Sequence, residues 1–147
     1  MASFFFISDV VLDDEENIYV LDSKRYMVKK FSSEGRLLAQ SDRKGQGPGK
    51  FLMPVKLYYK SGNLFVYDGK KRRIILFNEV LRFKEELSVV KYVTEFFVEK
   101  NRFYAVFMAQ AGKFHFAALK RAGNRLEPDF YFFDEEAPYI KNNARLK

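Results

Sequence analysis

Apolar and polar positions alternate along this chain in short runs bounded by turn residues. No stretch of 12 or more residues keeps the i, i+3, i+4, i+7 stripe of a helix. Two six-residue runs share one order of residue types (Asn, aliphatic, aromatic, Val, apolar, Asp). They are Asn17-Ile18-Tyr19-Val20-Leu21-Asp22 and Asn63-Leu64-Phe65-Val66-Tyr67-Asp68, 46 residues apart. Downstream, Lys30-Phe31 falls on Leu76-Phe77 at the same offset; upstream, Val10-Val11-Leu12 corresponds loosely to Val55-Lys56-Leu57. A fainter third copy runs through Phe96-Phe97-Val98, Asn101 to Phe107, Phe116 to Leu119 and Gly123 to Leu126.

A repeat in the forties with about four short strands per period is the pattern of a propeller blade. It predicts strands near 5–12, 17–21, 26–31 and 36–41, then 54–60, 63–68, 72–77 and 82–90, then 91–99, 102–109, 113–120 and 125–133. The fold is therefore expected to be all-β, with four-stranded antiparallel blades at about 5–41, 54–90 and 91–133 inside one partial β-propeller covering 1–133. Ser61-Gly62-Asn63 and Glu34-Gly35 supply turn residues that tolerate positive φ. Residues 134–147, with Pro138 and a basic end, read as a tail or the opening of a fourth blade.

Composition narrows the chemistry. With 48% apolar residues a core can form, and 17 Phe and 9 Tyr favour strands. The chain has no Cys, which removes disulfides, thiolate metal sites and a Cys nucleophile. A single His, His115, is too few for a multi-His zinc site and leaves little basis for a Ser-His-Asp triad. No catalytic residue, metal or cofactor is expected. The longest apolar runs, Phe4 to Ile7 and Val10 to Leu12, are far shorter than the roughly 20 residues of a membrane span. Met1-Ala2-Ser3 runs straight into an apolar strand, as the start of a fragment would, and no secretory leader is expected.

Gly45-Gln46-Gly47-Pro48-Gly49-Lys50-Phe51 cannot lie inside a strand or helix. It is expected to form a tight crossover from the outer edge of one blade to the centre of the next, with Phe51 as an anchor between blades. A phosphate loop would need Gly-Lys-Ser/Thr before a helix, and Phe51 before Pro54 supplies neither. Asp22 and Asp68 end equivalent strands and are expected to accept backbone N–H groups of the following turn. Asp13-Asp14-Glu15-Glu16 lacks the ligand spacing and Gly of a calcium loop and reads as a solvated turn. His115 points opposite to Phe114 and Phe116, which suits a structural or surface role. Phe96-Phe97 and Phe130-Tyr131-Phe132-Phe133 read as packing residues, with stacking platforms for single-stranded nucleic acid as the alternative.

The heptapeptide, Pro54 and the Asn63-to-Asp68 strand together resemble the bacterial six-bladed β-propeller proteins of the NHL-like class. The likeness is strong over about 10–83 and weaker over 91–133. In that family a Gly-x-Gly-Pro-Gly-[Glu/Lys]-Phe segment closes one blade, a Pro opens the innermost strand of the next, and a strand ending in Asp follows. Lys50 stands where an acid is commoner, and Gln110 lies near the place of the missing Asp of the third unit. The resemblance implies a non-enzymatic binding or scaffold module with no cofactor and, from its bacterial relatives, an extracytoplasmic location. A metal-dependent lyase of the broad class uses several His, which this chain lacks.

Net charge is +7, from 26 Lys plus Arg against 19 Asp plus Glu. Alternating strand directions put the turns between second and third strands, and the crossovers, on one side of the disc. That side receives Lys24, Arg25, Arg43, Lys44, Lys50, Lys70, Lys71, Arg72 and Arg73. The other side receives Asp13, Asp14, Glu15, Glu16, Glu34 and Glu79, with Arg121 breaking the rule. Charged turns are ordinary wet surface; they are also what a basic docking face needs. On the second reading the face engages a protein or other acidic ligand, or, alternatively, RNA, as some NHL-like propellers do.

Propellers close with 4–8 blades. Three leave two apolar sheet faces open, and covering one of about 600 Å² is worth about 15 kcal/mol before association costs. Completion of the ring is therefore expected, by a homodimer that joins three blades to three around a two-fold axis, or by the remainder of a longer chain.

Overall fold

In the computed structural model, which describes residues 3–41 and 44–132, the chain runs as three antiparallel meanders of four strands each. The first blade holds β1 (Ile7–Leu12), β2 (Ile18–Asp22), β3 (Met27–Phe31) and β4 (Leu37–Gln40). The second holds β5 (Pro54–Lys60), β6 (Asn63–Asp68), β7 (Arg73–Asn78) and β8 (Phe83–Val89). The third holds β9 (Val93–Glu99), β10 (Arg102–Met108), β11 (Phe114–Ala122) and β12 (Arg125–Tyr131). Every strand end lies within two residues of the position the pattern predicts. Arg43 and the expected tail at 134–147 lie outside the described residues.

The 46-residue period is physical as well as textual. Ser32 N–H donates to Arg36 O at 2.9 Å, and 46 residues on Asn78 N–H donates to Arg82 O at 3.0 Å. Positive φ recurs on the same spacing, at Tyr26 (58°) and Arg72 (51°), and at Gly35 (90°) and Leu81 (60°). A non-glycine residue there is strained by about 1 kcal/mol. Leu81 offsets that strain by burying its side chain among the residues between blades.

Each blade has two faces, and the register sorts them. Tyr19, Leu21 and Val28 of the first blade lead onto the trailing face of the second, where Leu57, Leu64, Val66, Ile75 and Phe77 are buried. The second blade's leading face, with Phe65, Tyr67, Ile74 and Leu76, meets Phe96, Val98, Phe103 and Ala105 of the third. A two-residue parallel bridge, Arg125 to Ser88 and Leu126 to Val89, also joins the outer strands of these two blades. Arg121 adds a bidentate pair to Glu85 across that rim, at 3.0 and 2.7 Å. Among the described residues, two faces of the set have no blade against them: the trailing face of the first and the leading face of the third.

The third blade departs where the sequence does. Phe107 takes the place of the strand-ending Asp, and a single 3₁₀ turn, Gln110–Gly112, closes β10 to β11. Val93 N–H, at the opening of β9, donates to Tyr67 Oη at 3.0 Å instead of to a carboxylate of its own blade. Among the described residues no helix is long and apolar enough to cross a membrane.

Candidate functional site

The crossover 44–53 is built by its own backbone. Gly45 N–H donates to Phe51 O at 2.9 Å and Lys50 N–H donates to Gly47 O at 3.1 Å. Pro48 and Gly49 occupy the two central positions of that second turn, Gly49 at φ 75°, which is the pattern of a type II turn. A side chain on Gly49 would also stand 3.1 Å from Phe83 Cβ. Phe51 is fully buried between the first two blades, its ring 5.8 Å from that of Phe77, and Pro54 opens β5 as expected.

Asp68 gathers the crossover and the β6–β7 turn onto one point. Its Oδ2 accepts the N–H of Leu52 at 2.7 Å, and its Oδ1 accepts those of Lys70 at 3.2 Å and Lys71 at 3.0 Å. Met53 N–H is shared between both oxygens at 3.1 Å. Asp22 repeats the arrangement with the N–H groups of Phe5 (2.8 Å), Phe6 (3.2 Å) and Arg25 (3.1 Å). Burial alone would raise the Asp22 carboxyl pKa, but the three backbone donors outweigh it and hold the group below its ordinary 3.8. The expected closure of the following turn is therefore present, and each Asp also ties down the segment that leads into its blade.

Each carboxylate fixes the basic turn that follows its strand, and Asp68 fixes the crossover as well. Lys24, Lys50, Lys70 and Arg72 are exposed there and make no ion pair among the described residues. Lys44 stands 5.0 Å over the Tyr26 ring, and the Arg25 guanidinium 4.6 Å over the Phe5 ring while it donates to Ser3 O. Lys71 is different. Its side chain is only 6% exposed, and its ammonium donates to Gly47 O, Lys50 O and Glu86 Oε1 at 3.3, 2.9 and 2.6 Å. It braces the crossover from beneath and offers nothing to a ligand. Arg73 is half committed, with Nη1 2.9 Å from Glu86 Oε2. Glu86, which sequence reasoning missed, also accepts Gly49 N–H at 3.1 Å. In the sequence it is one of two adjacent acids, Glu85-Glu86, in the middle of β8, and nothing there marks which of them faces the crossover.

The opposite side holds a second correction. Asp13 is not solvated: it is 8% exposed, accepts the N–H groups of Glu15 and Asn17 at 2.9 Å each, and pairs with Lys30 at 3.0 Å. Lys30 also donates to Glu79 O at 3.1 Å, beside Tyr19 Oη, which donates to the same carbonyl at 2.9 Å. Burial pushes the Asp13 carboxyl up, but its hydrogen bonds to Asn17 and Lys30 bring it below 3.8. Burial pushes Lys30 down, but Tyr19 and Asp13 hold it above 10.5. The stability that Asp13 confers is thus present above its unfolded pKa and lost as pH falls through the lower folded value. Lys30's share is present below 10.5 and lost as pH rises through the higher folded value. In urea titrations at descending pH, the stability gap between wild type and Asp13→Asn is expected to narrow below about pH 4. A gap constant down to about pH 2 would mean that the ionised carboxylate contributes nothing.

His115 is half-buried, edge-on to Tyr131 with ring centroids 5.7 Å apart. Among the described residues no three His, Cys, Asp or Glu side chains are grouped to hold a metal ion. A shallow cleft of about 250 Å³ lies on the open face of the first blade, lined by Arg25, Met27, Lys29 and Gln40.

No protein-family model and no curated protein matches the chain. Solved structures do. One is a protein of Bacteroides fragilis described as exported, 14% identical with a TM-score of 0.64, covering 79% of this chain and 35% of its own. Another is virginiamycin B lyase from Staphylococcus aureus, 12% identical with a TM-score of 0.52, covering 78% of this chain and 41% of its own. At these identities the likeness is one of fold, an all-β arrangement of propeller-like blades. The chain spans less than half the length of either structure.

Proposed function

We propose that the chain is a non-enzymatic binding scaffold of the NHL-like β-propeller kind, which engages an acidic protein or other acidic ligand through its crossover face. One solved structure of similar fold, described as exported, supports an extracytoplasmic setting. The observation that carries the reading is the group of exposed cations, Lys24, Lys50, Lys70 and Arg72, that make no ion pair among the described residues and sit on turns fixed by Asp22 and Asp68. Four exposed cations on a fixed backbone make a field that attracts anions without prior rearrangement. The three blades belong to a six-bladed ring, the rest of it supplied by a second copy or by a longer chain.

A second reading, RNA on the same face, is favoured by the aromatic rings under Lys44 and Arg25, since bases stack on rings while phosphates pair with cations. Fluorescence anisotropy with a poly-glutamate peptide and with a single-stranded RNA, each across a salt series, separates the two. The peptide is expected to bind, and changing Lys24, Lys70 and Arg72 to Glu is expected to weaken it roughly tenfold or more. Lys71 is left intact because its removal would collapse the crossover. RNA binding that falls steeply with log salt, with no peptide binding, would favour the second reading. Neither probe binding at low salt would end both.

A further inference from the structure

We infer that the two open faces are complementary halves of one contact, so that the leading face of the third blade covers the trailing face of the first blade in a second copy, twice, around a two-fold axis. The inference rests on the propeller reading above and adds the surface, the register and the partner.

The first blade is equipped to receive a preceding blade. Phe4 lies 5.9 Å from Phe31, as Phe51 lies 5.8 Å from Phe77. Phe31 and Phe77 are 46 residues apart, and the N–H groups that follow each anchor are held by Asp22 and Asp68. Phe4 is thus the counterpart of the ring that plugs the seam between the first two blades. The register extends the equivalence. Val10, Leu12, Ile18 and Val20 occupy the positions of Leu57, Tyr59, Leu64 and Val66. Leu57 and Leu64 are buried against a neighbouring blade, whereas Val10 is 48% exposed, Ile18 is half-buried and Leu12 is 57% exposed where Tyr59 is half-buried; Val20 is buried like Val66.

The third blade presents the other half. Phe97 stacks on Tyr104 at 4.8 Å and Phe116 on Phe132 at 4.3 Å. Tyr104 sits where Phe65 sits in the second blade, on the face that covers the next blade. Head-to-tail contact repeats the interface already made twice inside the chain, and two such contacts of about 600 Å² a side exceed the roughly 1,600 Å² of a standard interface. Like charges do not forbid it. The register brings Asp9 and Asp13 of one copy beside Glu95 and Glu99 of the other, but all four are already engaged. Glu95 pairs with Lys56 at 3.2 Å, Glu99 with Lys60 at 2.9 Å and Asp13 with Lys30 at 3.0 Å, while Asp9 accepts Leu57 N–H at 2.8 Å.

Light scattering coupled to gel filtration tests the contact on the whole chain. Twice 17.4 kDa, about 35 kDa, is expected for wild type. Leu12→Lys and Phe97→Lys, at exposed positions on the two faces, should each give a folded monomer by circular dichroism. An equimolar mixture of the two should recover dimer, because one wild-type contact survives between them. A monomeric wild type, a mass that climbs with concentration, or a dimer insensitive to either substitution would overturn the inference. Poly-glutamate binding measured on the same monomeric variants tells that failure apart from failure of the binding reading.

Discussion

Replacing Asp68 by Ala is expected to destabilise the protein by about 3–5 kcal/mol, read as a lower urea midpoint at unchanged slope. The carboxylate is wholly buried and receives the N–H groups of Leu52, Met53, Lys70 and Lys71 on its two oxygens. Removing it strands four donors at the junction of the crossover and the β6–β7 turn, and each donor left buried costs about 1–3 kcal/mol. Water reaches part of the gap, which keeps the total below the sum. Asp68→Asn should recover little, because one oxygen becomes an NH2 that faces backbone N–H groups. Asp22→Ala should cost less: it holds three N–H groups rather than four, and two of them belong to the segment just before β1. A loss below about 1 kcal/mol for Asp68→Ala would refute the view that this carboxylate organises the basic face.

The two Asp were legible because a strand-ending acid recurred at a fixed spacing, and an acid at a turn has few local uses. Phe51 was legible because three Gly and one Pro in five residues leave the next large apolar side chain as the fixed point. What was not legible depends on neighbours across the sheet. Lys71 is one cation in a run of four, and only the position of Glu86, 15 residues later on β8, shows that its side chain is buried while Lys70 and Arg72 are exposed. Asp13 looked like one acid in a run of four until Lys30 was found beneath it. Local pattern shows that a turn is charged; the side chain that points inward is chosen by the adjacent strand. Phe4 was hidden for another reason. It sits inside Phe4-Phe5-Phe6, where composition gives no cue to which ring anchors, and only its distance to Phe31 reveals the match to Phe51. The third blade blurred because its loops shift the offset and Phe107 replaces the marker Asp.

Phe51→Ala should cost about 3–5 kcal/mol, as truncation of a buried Phe does when the walls cannot close on the cavity. The walls here cannot close easily. The ring is 0% exposed and packs against Phe77, and its own O accepts Gly45 N–H, which fixes the loop that carries it. Phe51→Leu, which keeps most of the volume, should cost less than about 1.5 kcal/mol. The sharper comparison is with Phe4→Ala, the same anchor at an open seam. In the monomeric Phe97→Lys background, where the trailing face of the first blade is bare, that change should cost under about 1 kcal/mol, because its side chain already meets solvent. Chemical denaturation of the three variants separates burial from chemistry, since all alter the same residue type. Equal losses for Phe4→Ala and Phe51→Ala in a monomer would mean that the ring stabilises its own blade alone, and the account of Phe51 as the plug between blades would fail.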